Sequence, residues 1–244
     1  MYNFFCDNKI DDRYVITEKD CNHIVNVLRM KVGDNILVSR QNFSYLCEIV
    51  EISASQVVAK IIEENFQDTS LKINLVLMQG LPKSDKMELI IQKAVELGVN
   101  EIIPVETSRS IVKLLGNKKD NKLSRWQAIA ESGAKQSKRT NIPTVSPVLS
   151  FNQAMELAKD FDLFIMPYES KNGMIDTKLT LEKIKPDMKI GVFIGPEGGF
   201  SDEEVKKATE IGANVVSLGK RILRTETASI TALSMLMLYA EMNL

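Results

Sequence analysis

Residues 191–205 read Gly-Val-Phe-Ile-Gly-Pro-Glu-Gly-Gly-Phe-Ser-Asp-Glu-Glu-Val. Three glycines and a proline fall within five positions, Gly195 to Gly199, directly after an apolar run. Glycine lets a backbone reach positive φ and approach a ligand closely. Pro196 stiffens the entrance. Ser201, with Glu204 three residues later, has the pattern of a capping box that starts a helix. The segment is therefore a strand-to-helix loop, placed where open α/β sheets bind ligands. It is not a phosphate loop: it is spaced neither as GxGxxG nor as GxxxxGK[ST], and Glu197 inside it repels a phosphate. A neutral or cationic ligand suits it.

A second unusual loop, Ser217 to Ser229, reads SLGKRILRTETAS. A strand over Val215–Leu218 precedes it, Gly219 turns the chain, and Thr225 or Thr227 is placed to cap a final helix. Ile222 and Leu223 are apolar among Lys220, Arg221 and Arg224. Two such loops on one sheet edge make a pocket with backbone donors, backbone acceptors and apolar walls. That combination suits an adenine ring better than a triphosphate. Pro167 and Glu169, at the end of a third strand, flank the same pocket. Glu169 reads as a ribose partner or as an ordinary surface carboxylate.

The elements that hold these loops alternate in type. After the polar linker Glu64–Ser70, the run INLVLMQGL is continuously apolar, as for a strand buried on both faces. The spacing then predicts a helix over SDKMELIIQKAVELG, a strand EIIPVE and a helix KLSRWQAIAESGAKQSKR. A helix Phe151–Lys159, strands Leu163–Tyr168 and Ile190–Gly195, a helix Asp202–Ile211 and a helix Glu226–Met242 follow. This is the rhythm of an α/β domain with a parallel sheet and helices on both faces. Before the linker the pattern is β-rich, with strands Tyr14–Thr17, Asn35–Arg40, Tyr45–Ile52 and Gln56–Ile62. One helix lies among them, opened by Thr17 with Asp20 as a capping box. The expected organisation is a small β-rich unit over 1–70 and a larger α/β domain over 71–244.

The bulk numbers bound the function classes. The 244 residues are 44% hydrophobic and 26% charged, ordinary for a globular protein. No apolar run is long enough for a membrane span, and the start has no basic n-region followed by an apolar stretch, so no signal peptide is expected. Three isolated cysteines fit reduced thiols in a cytoplasm. A single histidine, His23, excludes a multi-histidine metal site, and no metal is expected. The net charge of −1 divides unevenly. Residues 1–70 carry 7 basic and 11 acidic groups, residues 71–140 carry 13 and 7, and residues 141–244 carry 11 and 14. A basic middle is what a polyanion-facing surface needs, although a solvated helical surface reads the same way.

The motifs IGPEGGFSDEE and LGKRILRTETA resemble the S-adenosyl-L-methionine-binding motifs of the RsmE-type 16S rRNA uridine-N3 methyltransferases of the SPOUT superfamily. The resemblance extends over the chain: HIVNVLRMKVGD resembles the family's PUA-like barrel, LPKSDKMELIIQKAVELGV the start of its catalytic domain, and KQSKR its middle segment. It implies a trefoil-knotted α/β fold, a homodimer, and S-adenosyl-L-methionine held by Pro167, Glu169, Ile194, Gly195, Pro196, Glu197, Gly199, Leu218, Gly219, Ile222, Leu223 and Thr227. Uridine N3 lies on the Watson–Crick edge, so the base must be unpaired or extruded. N3–H needs deprotonation before it is a nucleophile. Arg224 is the candidate cation for the developing negative charge and Glu226 the candidate base; Glu226 also suits the first turn of the last helix. RNA contacts are expected from Arg29, Lys31, Lys83, Lys86, Lys135, Gln136, Lys138 and Arg139. His23 and Trp126 read as structural.

Two other classes fit the same residues. One is a SPOUT methyltransferase of another specificity, at ribose 2′-O or guanine N1. The other is a non-catalytic RNA-binding factor for ribosome assembly, with the barrel as its working part.

Overall fold

A computed structural model describes residues 1–112, 117–168 and 173–244. The chain forms two compact units, one of residues 1–70 with 134–142, the other of 71–133 with 143–244.

The first unit is a six-stranded sheet of β1 (Asn3–Phe5), β2 (Lys9–Ile10), β3 (Arg13–Thr17), β4 (Asn35–Arg40), β5 (Phe43–Ile52) and β6 (Gln56–Glu64). The spatial order is β1-β4-β5-β6-β3-β2. All neighbours are antiparallel except β1 and β4. Tyr14, Ile16, Ile36, Val38, Cys47, Ile49, Val57 and Ala59 project at period two into one core. The expected helix is only α1 (Glu18–Asn22), continued by a π-helical turn over His23–Val27. The Thr17–Asp20 capping box does not form. Glu18 takes a positive φ of 54°, which bends the helix start away from cap geometry, and the Asp20 carboxylate is taken by Lys135 at 2.9 Å.

The second unit is a parallel sheet with strand order β10-β8-β7-β12-β11-β13 and β9 on β8. Its strands are β7 (Asn74–Gly80), β8 (Glu101–Glu106), β9 (Thr144–Val145), β10 (Leu149–Ser150), β11 (Leu163–Pro167), β12 (Lys189–Ile194) and β13 (Asn214–Val216). The helices are α2 (Lys86–Glu96), α3 (Asn117–Gln136), α4 (Phe151–Ala158), α5 (Ile175–Leu181), α6 (Asp202–Glu210) and α7 (Thr225–Asn243). β7 is buried from Leu75 to Gly80, as a strand covered on both faces must be. Val76 and Met78 face α4 and α6 through a core that includes Phe193, Phe200, Phe151 and Ala208. Leu75, Leu77 and Gln79 alternate to the other face, where the Gln79 carboxamide meets Thr225 and Ser229 of α7. The loops that leave the carboxyl ends of β11, β12 and β13 are those that the sequence singled out.

Candidate functional site

The glycine loop is shaped by its own backbone. Gly199 N–H donates to Pro196 O at 2.9 Å, closing a turn whose last residue has φ 65°, a conformation that favours glycine. Ser201 and Glu204 form the expected capping box. Glu204 also accepts from Ser108 N at 2.8 Å, and Arg109 Nη1 donates to Gly198 O at 3.0 Å. The loop after β8 thus clamps the glycine loop from outside. The second loop is tied down by α5, where the Thr177 hydroxyl donates to Ser217 O at 2.7 Å and accepts from Ser217 N at 3.1 Å.

Two cavities of about 430 and 440 Å³ lie at these loops, the first along the second loop and the other between both loops. The first is lined by Leu218, Gly219, Lys220, Arg221, Ser217 and Met174, the second by Ile194, Gly195, Pro196, Glu197, Gly199, Arg224, Thr225 and Lys86. Pro167, Tyr168, Ile222, Leu223 and Ala228 line both. Ten of the twelve expected cofactor residues are therefore brought together. Of the other two, Thr227 is exposed and lines neither cavity, and Glu169 lies outside the described residues. Neither Thr225 nor Thr227 caps α7: its N-cap is Arg224, with no side-chain cap bond. The Thr225 hydroxyl donates instead to Gly195 O at 2.7 Å.

A charge cluster borders the second cavity. Lys86 Nζ lies 2.9 Å from Glu197 Oε1 and 3.5 Å from Glu226 Oε2. Glu197 also accepts from Lys83 N at 3.0 Å. Burial works against the charge of Glu197, but the Lys86 ammonium and the N–H bonds outweigh it and hold the carboxyl below the usual glutamate value. Its hydrogen bond to Glu197 raises Lys86 in turn. Lys86, expected at an RNA surface, is thus engaged by two carboxylates at the loop pocket. Glu226 Oε2 is buried and has no hydrogen-bond partner among the described residues. Arg224 is exposed.

Residues 69–237 match the family described as an RNA methyltransferase domain, and residues 16–62 match the RNA methyltransferase PUA domain. Ribosomal RNA small subunit methyltransferase E of Bacillus subtilis is 40% identical over 91% of this chain and 88% of its own length. That of Mesomycoplasma hyopneumoniae is 36% identical over 96% of this chain and 98% of its own. The chain belongs to the ribosomal RNA small subunit methyltransferase E family. A solved structure of this family, from Neisseria gonorrhoeae and bound to S-adenosyl methionine, superposes with a TM-score of 0.82 at 29% identity, covering 96% of each chain.

The expected RNA-contact residues of this methyltransferase divide between the units. Lys83 and Lys86 lie in the second. Arg29, Lys31, Lys135, Gln136, Lys138 and Arg139 all belong to the first, because segment 134–142 packs there. Asn3 Nδ2 donates to Arg139 O at 3.0 Å, Gln67 Nε2 donates to Lys138 O at 3.0 Å, and Lys135 pairs with Asp20. The segment adds three basic groups and no acid, so the first unit changes from 7 basic against 11 acidic groups to 10 against 11. Arg139 is a correction: its residue is 5% exposed, and burial lowers its pKa to about 10. It is a buried, still charged group rather than a surface contact. Arg29, Lys31, Gln136 and Lys138 are exposed. Trp126 is 3% exposed, as a core residue should be. His23 is exposed, and its ring meets Phe4 edge-on at 6.2 Å.

Sequence reasoning missed Gln79, Tyr168, Thr177, Ser108 and Arg109. Gln79 was visible as a polar side chain that directly follows the apolar run Leu75–Met78 and precedes Gly80. The others carry no local signal, since their roles depend on contacts with residues 34 to 96 positions away.

Proposed function

We propose that this methyltransferase uses S-adenosyl-L-methionine to methylate N3 of a uridine in 16S rRNA of the small ribosomal subunit. The observation that carries the reading is the pair of cavities that share one apolar wall, one lined by the second motif loop and the other by both motif loops. The donor set fits the cofactor. Leu218, Ile222, Leu223, Pro167 and Tyr168 offer apolar faces to an adenine ring. Lys220 and Arg221 offer cations to a carboxylate. Glu197 and Glu226 place two carboxylates beside the second cavity, balanced by Lys86 and Arg224. When bound, S-adenosyl-L-methionine supplies the electrophilic methyl group.

The residues of the chain supply the rest. Arg224 stabilises the negative charge that develops on the uracil. Glu226 Oε2, buried and 3.5 Å from the Lys86 ammonium, takes the N3 proton. Glu197 holds the glycine loop to residues 83–86 and does no chemistry. The first unit, as a PUA-like RNA-binding domain, meets rRNA through Arg29, Lys31, Lys138 and Gln136. A homodimer forms through α7 and α2, which pack on each other and leave Leu89, Leu238 and Met242 exposed. The SPOUT trefoil knot and a cytoplasmic location belong to the same reading. Among the described residues no helix is long and apolar enough to cross a membrane.

The test incubates the enzyme and labelled S-adenosyl-L-methionine with small subunits from a strain that lacks this enzyme. Label in 16S rRNA is the expected result. Cofactor binding without label in any RNA favours the assembly-factor reading.

A further inference from the structure

We infer that Gln79 is a positioning residue for methyl transfer, acting through the Thr225 hydroxyl on both motif loops at once. This rests on the proposed reading of the site. Gln79 is 0% exposed in the central strand β7, and a buried carboxamide is costly unless both of its ends are satisfied. Both are. Nε2 donates to Thr225 Oγ1 at 3.0 Å and to Gly80 O at 2.9 Å, and Oε1 accepts from the Ser229 hydroxyl.

The direction of the chain of bonds is fixed by proton count. Gln79 Nε2 can only donate, so Thr225 Oγ1 accepts from it. The single Thr225 proton then goes to Gly195 O, 2.7 Å away. Thr225 is 5% exposed and stands between Arg224 and Glu226 as the first residue of α7. Gly195 opens the glycine loop. One amide on a rigid strand therefore sets the hydroxyl that pins the start of one motif loop to the end of the other. A purely apolar side chain at position 79 fills the space but leaves that hydroxyl without its orienting donor. Precise placement of this kind matters for group transfer, where displacements of about 1 Å cost roughly a hundredfold.

The test is a double-mutant cycle of Gln79→Leu and Thr225→Val, with Thr225→Ser as the conservative control. The readouts are kcat for methyl transfer to any RNA nucleoside, KM for the cofactor, and the folded fraction by circular dichroism. Each single variant should lower kcat per folded enzyme by roughly tenfold or more, with a smaller change in cofactor KM. The double variant should fall within about threefold of the worse single, because the second change removes a contact already lost. Thr225→Ser should stay within about threefold of wild type. Should Gln79→Leu not fold, Gln79→Met takes its place, and the Thr225→Val against Thr225→Ser contrast decides alone. Multiplicative losses, a serine variant as poor as valine, or activity that merely follows the folded fraction overturn the inference while leaving the methyltransferase reading intact. A wild-type enzyme that methylates no RNA overturns both.

Discussion

Lys86 Nζ lies 2.9 Å from Glu197 Oε1, joining the first residue of α2 to the middle of the glycine loop. The loop motif and the helix are more than a hundred residues apart in the chain, and this pair closes that distance at the cavity edge. Because Glu197 is held below its ordinary value in the folded state, the unfolded chain takes up the proton first as the pH falls. The stabilisation is fully present above the unfolded value of about 4.3 and is lost as the pH falls through the lower folded-state value. Lys86→Met should lower Tm at pH 7, and the gap to wild type should close in acid. Tm measured across pH 3–7 checks this, and a gap that persists unchanged at the acid end contradicts it.

Arg224→Ala should lower kcat by about 10²–10³-fold. The side chain is exposed and caps nothing in α7, so stability should move by no more than about 0.5 kcal/mol. Steady-state kinetics with a thermal melt on the same preparation separates the two effects. Wild-type-like turnover removes Arg224 from the mechanism.

Glycine at position 80 is required by close approach. A Cβ there would stand 2.6 Å from Pro196 Cδ and 2.7 Å from Pro196 N. Gly80→Ala should push the glycine loop off β7 and weaken cofactor binding, at a stability cost of about 1–3 kcal/mol. Calorimetric titration with S-adenosyl-L-methionine reads the first effect and a denaturant melt the second. Unchanged affinity shows that the loop does not hold the cofactor.

Two neighbours in the basic segment should behave differently. Lys138 is exposed, so Lys138→Ala should weaken RNA binding at low salt and reduce the salt slope by roughly 1. Arg139 is buried, so Arg139→Ala should lower Tm through lost packing. Filter binding at several salt concentrations, with melts alongside, distinguishes them.

What the sequence disclosed follows from how local each signal is. The glycine loop, its capping box and the apolar strand before it are encoded by adjacent residues, and all three stand where expected. The Thr17–Asp20 box matched the same pattern and failed: Glu18 takes a positive φ at the helix start, and Lys135, 115 residues away, takes the Asp20 carboxylate. Segment 134–142 carries no sign of its partner: its anchors are Asn3, Ser39, Gln67 and Asp20, each remote in the chain. The acidic look of residues 1–70 came from reading that stretch without this basic segment. Thr225 likewise has the residue type of a cap, and only the fold reveals that its hydroxyl is committed to Gly195 and Gln79.

The atom that receives the methyl group defines the reaction. Small subunits lacking the modification, treated with enzyme and S-adenosyl-L-methionine, can be digested to nucleosides and resolved against standards by chromatography and mass spectrometry. The expected result is a single new nucleoside, 3-methyluridine, formed at least about a hundredfold more slowly by the Arg224→Ala variant. A new ribose 2′-O-methyl nucleoside or 1-methylguanosine, with no 3-methyluridine, contradicts it.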